Sequence, residues 1–194
     1  MLDAQVRKLL ASPVDRLAGG MARVGINANT ITIFGFLMGL GAVGFIADAQ
    51  YGKAVFFLAL NRFADILDGI LARVKGQTPL GGFLDASLDL VVYALIPLAF
   101  GLARQQDALA AMFLLVGLMV AAIPPLVFRI FSRRPDEDFV LCGHSETFIV
   151  VALMCLAERW AFTPLAYLYG GLCFLSCAIS IVYAAVKLRS AARP

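Results

Sequence analysis

The part of the chain that decides the fold runs from residue 61 to residue 90 and reads NRFADILDGILARVKGQTPLGGFLDASLDL. It contains two pairs of aspartates, Asp65 with Asp68 and Asp85 with Asp89, spaced three and four residues apart. Residues at these spacings lie on one face of an α-helix, so each pair projects from one side of its own helix. A loop between the pairs would join the helices as an antiparallel hairpin, with all four carboxylates lining one cavity. The residues expected in that loop include Gly76, Pro79, Gly81 and Gly82.

The composition of the whole chain places this hairpin in a membrane. The 194 residues are 61% hydrophobic and 15% charged, with a mean hydropathy of +0.88, which is too apolar for an ordinary soluble domain. Apolar stretches near the roughly 20 residues that cross a bilayer occur at 29–47, 53–72, 84–103, 108–130, 139–157 and 163–186. We therefore expect an all-α integral membrane protein with six transmembrane helices. His144 and Glu146 interrupt the fifth stretch, where a short or partly buried helix is the alternative.

The segment before the first span, residues 1–28, is charged, and its apolar residues recur at helical spacing. This pattern predicts an amphipathic helix that lies in the membrane interface, and it does not resemble a cleaved signal peptide. Residues 29–186 form the predicted six-helix bundle. We expect residues 1–194 to make a single domain.

The basic residues predict the orientation. With the N-terminus in the cytoplasm, 12 of the 16 lysines and arginines fall on the cytoplasmic side and 3 on the other, while Arg62 lies within the second span. Basic residues collect on the cytoplasmic side of membrane proteins. We therefore expect a multi-pass membrane protein with the N-terminus and the aspartate cavity on the cytoplasmic side.

Four carboxylates in a membrane require neutralisation, because one charged side chain deep in the bilayer costs about 2.5–3.5 kcal/mol on insertion scales. Arg62 and Arg73 could offset part of this charge. Convergent carboxylates are also the donors that Mg²⁺ or Mn²⁺ prefers, and two ions about 3.5–4 Å apart would suit four of them. The alternative is that the aspartates cap helices or form ion pairs at the interface.

Once these residues are placed, the stretch resembles the signature of the CDP-alcohol phosphotransferase (phosphatidyltransferase) family, D-x-x-D-G-x-x-A-R followed by a spacer and G-x-x-x-D-x-x-x-D. The matching positions are Asp65, Asp68, Gly69, Ala72, Arg73, Gly81, Asp85 and Asp89. The spacer, residues 74–80, is one residue shorter than is usual in the family. Six spans behind an amphipathic helix are also typical of the family.

The resemblance implies an enzyme of phospholipid biosynthesis that transfers a phosphatidyl-type group from a CDP-linked lipid, such as CDP-diacylglycerol, to an alcohol and releases CMP. It implies that the four aspartates bind metal and that Asp89 also accepts the proton of the alcohol. The residues expected at the nucleotide are Asn29, Gly69, Ala72, Arg73 and Gly81. Capping of the first span is the alternative role of Asn29, and helix packing is the alternative role of Gly69 and Ala72.

The acceptor alcohol is not identified by the motif. One candidate is glycerol 3-phosphate, whose phosphate Arg129 or Arg133 would bind near the end of the fourth span. These arginines could instead set topology and pair with anionic lipid. Residues 143–147, GHSET, resemble the EGTET segment of a group of bacterial inner-membrane members, with Gly143 and His144 replacing its first two residues. The resemblance implies that the protein lies in the cell inner (cytoplasmic) membrane and forms a homodimer. Membrane lipid is a further expected partner, and nucleic acid is not.

Other classes of protein could use the same acids. An aspartate-rich prenyltransferase also binds a pyrophosphate through metal, but its acidic motifs lie far apart in sequence. A membrane cation transporter predicts metal flux without CMP release, and it leaves the small residues beside the aspartates unexplained. A family member that has lost activity and serves as a scaffold is a further alternative.

Overall fold

The computed structural model describes residues 20–21, 25–131, 143–157 and 159–191, and the regular structure in these ranges is helical. The helices are α1 (Ala28–Ala47), α2 (Tyr51–Lys75), α3 (Pro79–Ala103), α4 (Ala108–Phe131), α5 (His144–Leu156) and α6 (Phe162–Ala191), with 3₁₀ turns at Gln105–Asp107 and Arg159–Ala161. The predicted all-α class is confirmed for this part of the chain. The predicted interfacial helix over residues 1–28 lies almost entirely outside the described residues.

Four segments of the described chain are long and apolar enough to cross a membrane, and they fall in α1, α3, α4 and α6. α2 has 25 residues, which is about 37 Å of helix, but charged residues including Arg62, Asp65 and Asp68 lower its apolarity. α5 has 13 residues and spans about 20 Å, less than the roughly 30 Å of a hydrocarbon core. The chain is thus a multi-pass membrane protein, and the full count of six spans stays a prediction.

The connection between α2 and α3 is shorter than the sequence predicts. α2 ends at Lys75, and the residue that caps it, Gly76, has a φ of 97°, which lies in the left-handed region that favours glycine. The Thr78 hydroxyl then caps α3 by accepting a hydrogen bond of 3.0 Å from the Gly81 N–H, with Pro79 in the first turn. Pro79, Gly81 and Gly82 therefore belong to α3, and residues 76–78 alone connect the two helices.

α2 and α3 run antiparallel, as predicted, but they do not pack tightly on one another. Asp68 lies near Asp85, whereas Leu58, further back on α2, shares a cavity with Ile96, further along α3. The close packing partner of both helices is α1. The hairpin is therefore open, and the space between its two helices is available for a site.

Small residues of α1 allow this close packing. A Cβ atom added to Gly35 would lie 3.0 Å from the Cβ of Ala64 on α2, and one added to Gly39 would lie 2.8 Å from Val92 on α3. The Asn61 side chain also donates a hydrogen bond of 3.0 Å to the Gly35 carbonyl. Small residues at helix crossings bring backbones together in membrane proteins. Here they set α1 against both aspartate-bearing helices.

Two groups of buried apolar residues lie on either side of the aspartates. The larger group joins the second halves of α1 and α3 and the first parts of α2 and α4 to α5 and α6. It includes Ile46, Leu58, Ile96, Phe100, Leu114, Met154 and Phe162. The smaller joins the start of α1 to the second half of α2 and includes Ile31, Leu67 and Leu71. α4 also packs closely on α6, and α5 packs on α2. The helices that carry the aspartates are therefore held by apolar packing at more than one point along their length.

Candidate active site

Three of the four predicted carboxylates converge on one point. Asp65, Asp68 and Asp85 each offer an oxygen atom, and these atoms lie within 4.8 Å of one another. Asp68 is 4% exposed, and the other two are half-buried. Since like charges held this close repel one another, a cation between them would stabilise the arrangement. The donor set fits Mg²⁺ or Mn²⁺, which bind carboxylate oxygens.

All four aspartates line one cavity, as predicted, together with Thr32 and Asn61. We call this space the acidic cavity. A second space, which we call the histidine cavity, adjoins it and is lined by Asn61, Arg62, Asp65, Asp89, Tyr93, His144 and Thr147, with apolar residues of α2, α3 and α5. Asn61, Asp65 and Asp89 line both cavities. The site therefore has two adjoining compartments with carboxylates at their boundary.

Asp68 is held by a residue of α1 that the sequence analysis did not select. The Thr32 hydroxyl donates a hydrogen bond of 2.6 Å to Oδ2 of Asp68. Thr32 lies one helical turn after Ala28, at the start of α1, and follows Asn29 by three residues. Its position close to this predicted nucleotide residue was the signal in the sequence that could have selected it.

Asp65 forms an ion pair with Arg62, one turn earlier on α2. The other terminal nitrogen of Arg62 donates a hydrogen bond of 3.1 Å to the Ser145 hydroxyl on α5. Arg62 therefore offsets part of the acidic charge, as expected from the sequence. The ion pair with Arg62 therefore holds the Asp65 carboxylate at the boundary of the two cavities.

Asp89 faces a different partner from the other three aspartates. Its Oδ2 lies 3.2 Å from Nδ1 of His144, the first residue of α5. The Tyr93 hydroxyl lies 2.7 Å from the same ring nitrogen. Tyr93 and His144 were not predicted as site residues. His144 belongs to the segment that resembles EGTET, but no spacing rule connects that segment to Asp89.

The residues predicted to contact a nucleotide fall into two groups. Asn29 lies in the first turn of α1, and its Oδ1 would be 3.1 Å from a Cβ atom on Gly81. The N-cap of α1 is Asn27, so Asn29 does not have the alternative capping role. Gly69 and Ala72 follow Asp68 on α2, and the exposed Arg73 donates a hydrogen bond of 3.2 Å to the Gly69 carbonyl. A Cβ atom on Gly69 would have no neighbour within 4 Å among the described residues, so this glycine is not required for helix packing there.

The predicted acceptor residues cannot be placed at the site. Arg129 lies in α4, but its side chain is outside the described part of the structure, and Arg133 falls in the undescribed range 132–142. Their role stays a prediction.

Comparison with known proteins identifies the family of the chain. Residues 26–185 match the family model described as CDP-alcohol phosphatidyltransferase. The chain is 32% identical over 189 residues to "Inner membrane protein YnjF" of Escherichia coli (strain K12), which covers 91% of each protein. It is 37% identical over 88 residues to archaetidylinositol phosphate synthase of Pyrococcus horikoshii, a match that covers 44% of this chain and 46% of the relative.

Solved structures show the same fold. The chain superposes on Mycobacterium tuberculosis phosphatidylinositol phosphate synthase with CDP-DAG bound with a TM-score of 0.75 and 19% identity, covering 88% of this chain and 92% of that one. The same protein in complex with manganese and citrate gives a TM-score of 0.74 at 19% identity, covering 88% of each chain. The family model spans most of the chain, and the E. coli relative matches it nearly end to end. On these grounds the chain belongs to the CDP-alcohol phosphatidyltransferase family.

Proposed function

We propose that this protein transfers a phosphatidyl group from CDP-diacylglycerol to the hydroxyl of an alcohol and releases CMP, as a step of phospholipid biosynthesis. The observation that carries the proposal is the convergence of Asp65, Asp68 and Asp85, with oxygen atoms within 4.8 Å of one another between two helices that bear the family motif. The protein of the same fold that has been solved with CDP-DAG bound supports the choice of donor.

Asp65, Asp68, Asp85 and Asp89 are the proposed metal ligands, and we propose two ions of Mg²⁺ or Mn²⁺. The solved complex of a protein of this fold with manganese supports metal binding. A divalent cation held by these residues would supply positive charge that polarises the pyrophosphate and stabilises the departing phosphate. Thr32 orients Asp68 for this role, and Arg62 orients Asp65.

The reaction joins the acceptor to the lipid phosphate in one displacement. The hydroxyl oxygen of the acceptor forms a bond to the phosphorus of the phosphatidyl group, while the bond from that phosphorus to the bridging oxygen of CMP breaks. CMP leaves with the bonding electron pair. Asp89 accepts the hydroxyl proton, a role that suits a carboxylate at the boundary between the two cavities.

Nucleotide binding is proposed for Asn29, Gly69, Ala72, Arg73 and Gly81. Gly81, in the first turn of α3, lies close to Asn29 and has no side chain. A phosphate or ribose can therefore approach the backbone of Gly81. Arg73 is an exposed cation one turn beyond Gly69. Asn29 and Gly81 would border the cytidine and its phosphates on the side of α1 and α3. Gly69, Ala72 and Arg73 would border them on the side of α2.

For the acceptor we propose an alcohol that already carries a phosphate, with glycerol 3-phosphate as the first candidate and Arg129 or Arg133 as its binding residue. The archaeal relative is a synthase of an inositol phosphate lipid, so inositol phosphate is the acceptor to compare with it. We also propose that the site faces the cytoplasm, where a soluble nucleotide is released, and that the protein forms a homodimer.

The test uses purified protein in nanodiscs with CDP-diacylglycerol and Mn²⁺, and it measures CMP release with each acceptor in turn. Glycerol 3-phosphate, inositol phosphate, serine, choline and phosphatidylglycerol form the panel. Stimulation of CMP release by one acceptor supports phosphatidyl transfer and names the acceptor. Lack of CMP release with the whole panel, together with Mn²⁺ uptake into proteoliposomes, would replace the transferase with a cation transporter.

A further inference from the structure

The first turn of α5 forms a third wall of the site. His144 contacts α3 through Asp89 and Tyr93, and the next residue, Ser145, contacts α2 through Arg62. These contacts bridge the open side of the hairpin, where α2 and α3 do not pack tightly on one another. Two consecutive residues of α5 therefore reach the two halves of the carboxylate site.

The role of Nδ1 of His144 depends on whether this nitrogen carries hydrogen, because the Tyr93 hydroxyl can either donate to it or accept from it. An ionised carboxylate has only acceptor oxygens. The approach of Nδ1 of His144 to within 3.2 Å of Oδ2 of Asp89 is therefore a hydrogen bond only if Nδ1 carries the hydrogen. In that tautomer the Tyr93 hydroxyl, 2.7 Å from the same nitrogen, also accepts from it, whereas in the other tautomer Tyr93 donates to Nδ1.

Tyr93 follows Asp89 by four residues, so both side chains project from one face of α3 toward the histidine cavity. The ring centroids of Tyr93 and His144 are 5.4 Å apart, and the rings are tilted by 49°. This contact limits rotation of the imidazole. The imidazole in turn limits rotation of the Asp89 carboxylate, whose side chain is 21% exposed.

We propose that His144 is a positioning residue for Asp89: it holds Oδ2 of the carboxylate through Nδ1, so that the other oxygen can accept the acceptor's proton. The inference deepens the proposed function and rests on it. A base must lie within hydrogen-bond reach of the proton that it removes, and a small misplacement of a reacting group costs much of the rate. In the proposed function the pyrophosphate of the CDP-lipid binds at the metal ligands of the acidic cavity, which His144 does not line.

The kinetic test compares two amide variants of His144. The amide nitrogen of asparagine lies close to the position of Nδ1, whereas that of glutamine reaches the position of Nε2. We expect His144→Gln and His144→Ala to lower kcat by about tenfold or more, with the KM for CDP-diacylglycerol changed by less than about twofold. His144→Asn is expected to restore kcat to within about threefold of the wild type. Equal loss in the asparagine and glutamine variants would overturn the role of Nδ1.

A spectroscopic test does not depend on turnover. His144 is the one histidine of the chain, so protein grown on ring-labelled histidine and purified through a histidine-free tag gives signals from this residue alone. We expect a nitrogen resonance of the protonated type at Nδ1 with a directly bonded hydrogen. Asp89→Asn should shift it, and Tyr93→Phe should shift it by less. The matched control Asp48→Asn changes an exposed aspartate outside both cavities and should leave it in place.

The two tests separate the possible failures. An Nδ1 resonance without hydrogen, or one that Asp89→Asn does not move, overturns the contact itself. An intact contact with wild-type turnover in His144→Gln overturns the positioning role. An intact contact in a protein that releases no CMP with any acceptor overturns the proposed function, and the positioning role in the reaction falls with it.

Discussion

Replacing Thr32 with valine tests the link between α1 and the metal site. Valine keeps the shape of threonine but removes the hydroxyl that donates the 2.6 Å hydrogen bond to Oδ2 of Asp68. Asp68 is 4% exposed, so water does not readily replace the lost donor. Hydrogen bonds to charged groups contribute about 1.5–3 kcal/mol.

That energy corresponds to about a 10- to 100-fold change in an equilibrium constant, since each 1.4 kcal/mol is tenfold. Loss of a residue that orients a metal ligand has a cost of the same size. We therefore expect Thr32→Val to weaken Mn²⁺ binding by about 10- to 100-fold, and to raise the Mn²⁺ concentration needed for half-maximal CMP release by a similar factor.

Mn²⁺ binding is measured by electron paramagnetic resonance of the protein in nanodiscs, and activation by CMP release. The matched control is Thr30→Val, which makes the same change at an exposed position of the same helix. It should leave both quantities within about twofold of the wild type. Mn²⁺ affinity in Thr32→Val that equals that of Thr30→Val would refute the argument that Thr32 orients a metal ligand.

Four further predictions follow from the site and its setting. Chelation with EDTA should abolish CMP release and added Mg²⁺ or Mn²⁺ should restore it, because oxygen atoms of Asp65, Asp68 and Asp85 lie within 4.8 Å of one another, an arrangement that suits a divalent cation; full turnover in EDTA would reject the metal site. Asp89→Asn should abolish turnover but retain CDP-lipid binding, whereas Asp68→Asn should weaken both; near-normal turnover in Asp89→Asn would remove the base assignment. Gln77→Cys, between α2 and α3, should react with an impermeant thiol reagent from the cytoplasmic side in a background without the native cysteines, and labelling from outside would invert the topology. Arg129→Ala or Arg133→Ala should raise the acceptor KM about tenfold or more, which corresponds to a loss of about 1.4 kcal/mol or more of binding free energy, with little change in the donor KM. Equal effects on the acceptor KM and the donor KM would reject a phosphate pocket.

The pairing of the aspartates could be read from spacing, because residues three and four apart share a helical face. This rule correctly placed Asp65 with Asp68 and Asp85 with Asp89, and it predicted that the four line one cavity.

The length of the loop between the aspartate-bearing helices was predicted wrongly. Gly81 and Gly82 were expected in the loop, but they lie in the first turn of α3, which begins at Pro79 directly after its cap, Thr78. Glycine and proline favour loops, but proline in a first turn and glycine within a membrane helix are also common. Composition alone therefore could not place the start of α3.

Local sequence patterns could not predict which residues contact the aspartates. Thr32 lies 36 residues before Asp68, and His144 lies 55 residues after Asp89. Neither distance is set by a helical period. These contacts depend on the close approach of α1 to α2 at Gly35 and on where the first turn of α5 meets α3.

By itself, the sequence determined that the chain is helical, lies in a membrane and carries its acids in two pairs on adjacent helices, because hydropathy is a property of each apolar stretch and helical periodicity relates residues about one turn apart. Only the tertiary structure decided that the hairpin is open, that Asp65, Asp68 and Asp85 converge while Asp89 turns to His144, and that the site has a second compartment. The physical reason is that side-chain contacts between helices depend on crossing points and rotations, which arise from the packing of the whole bundle.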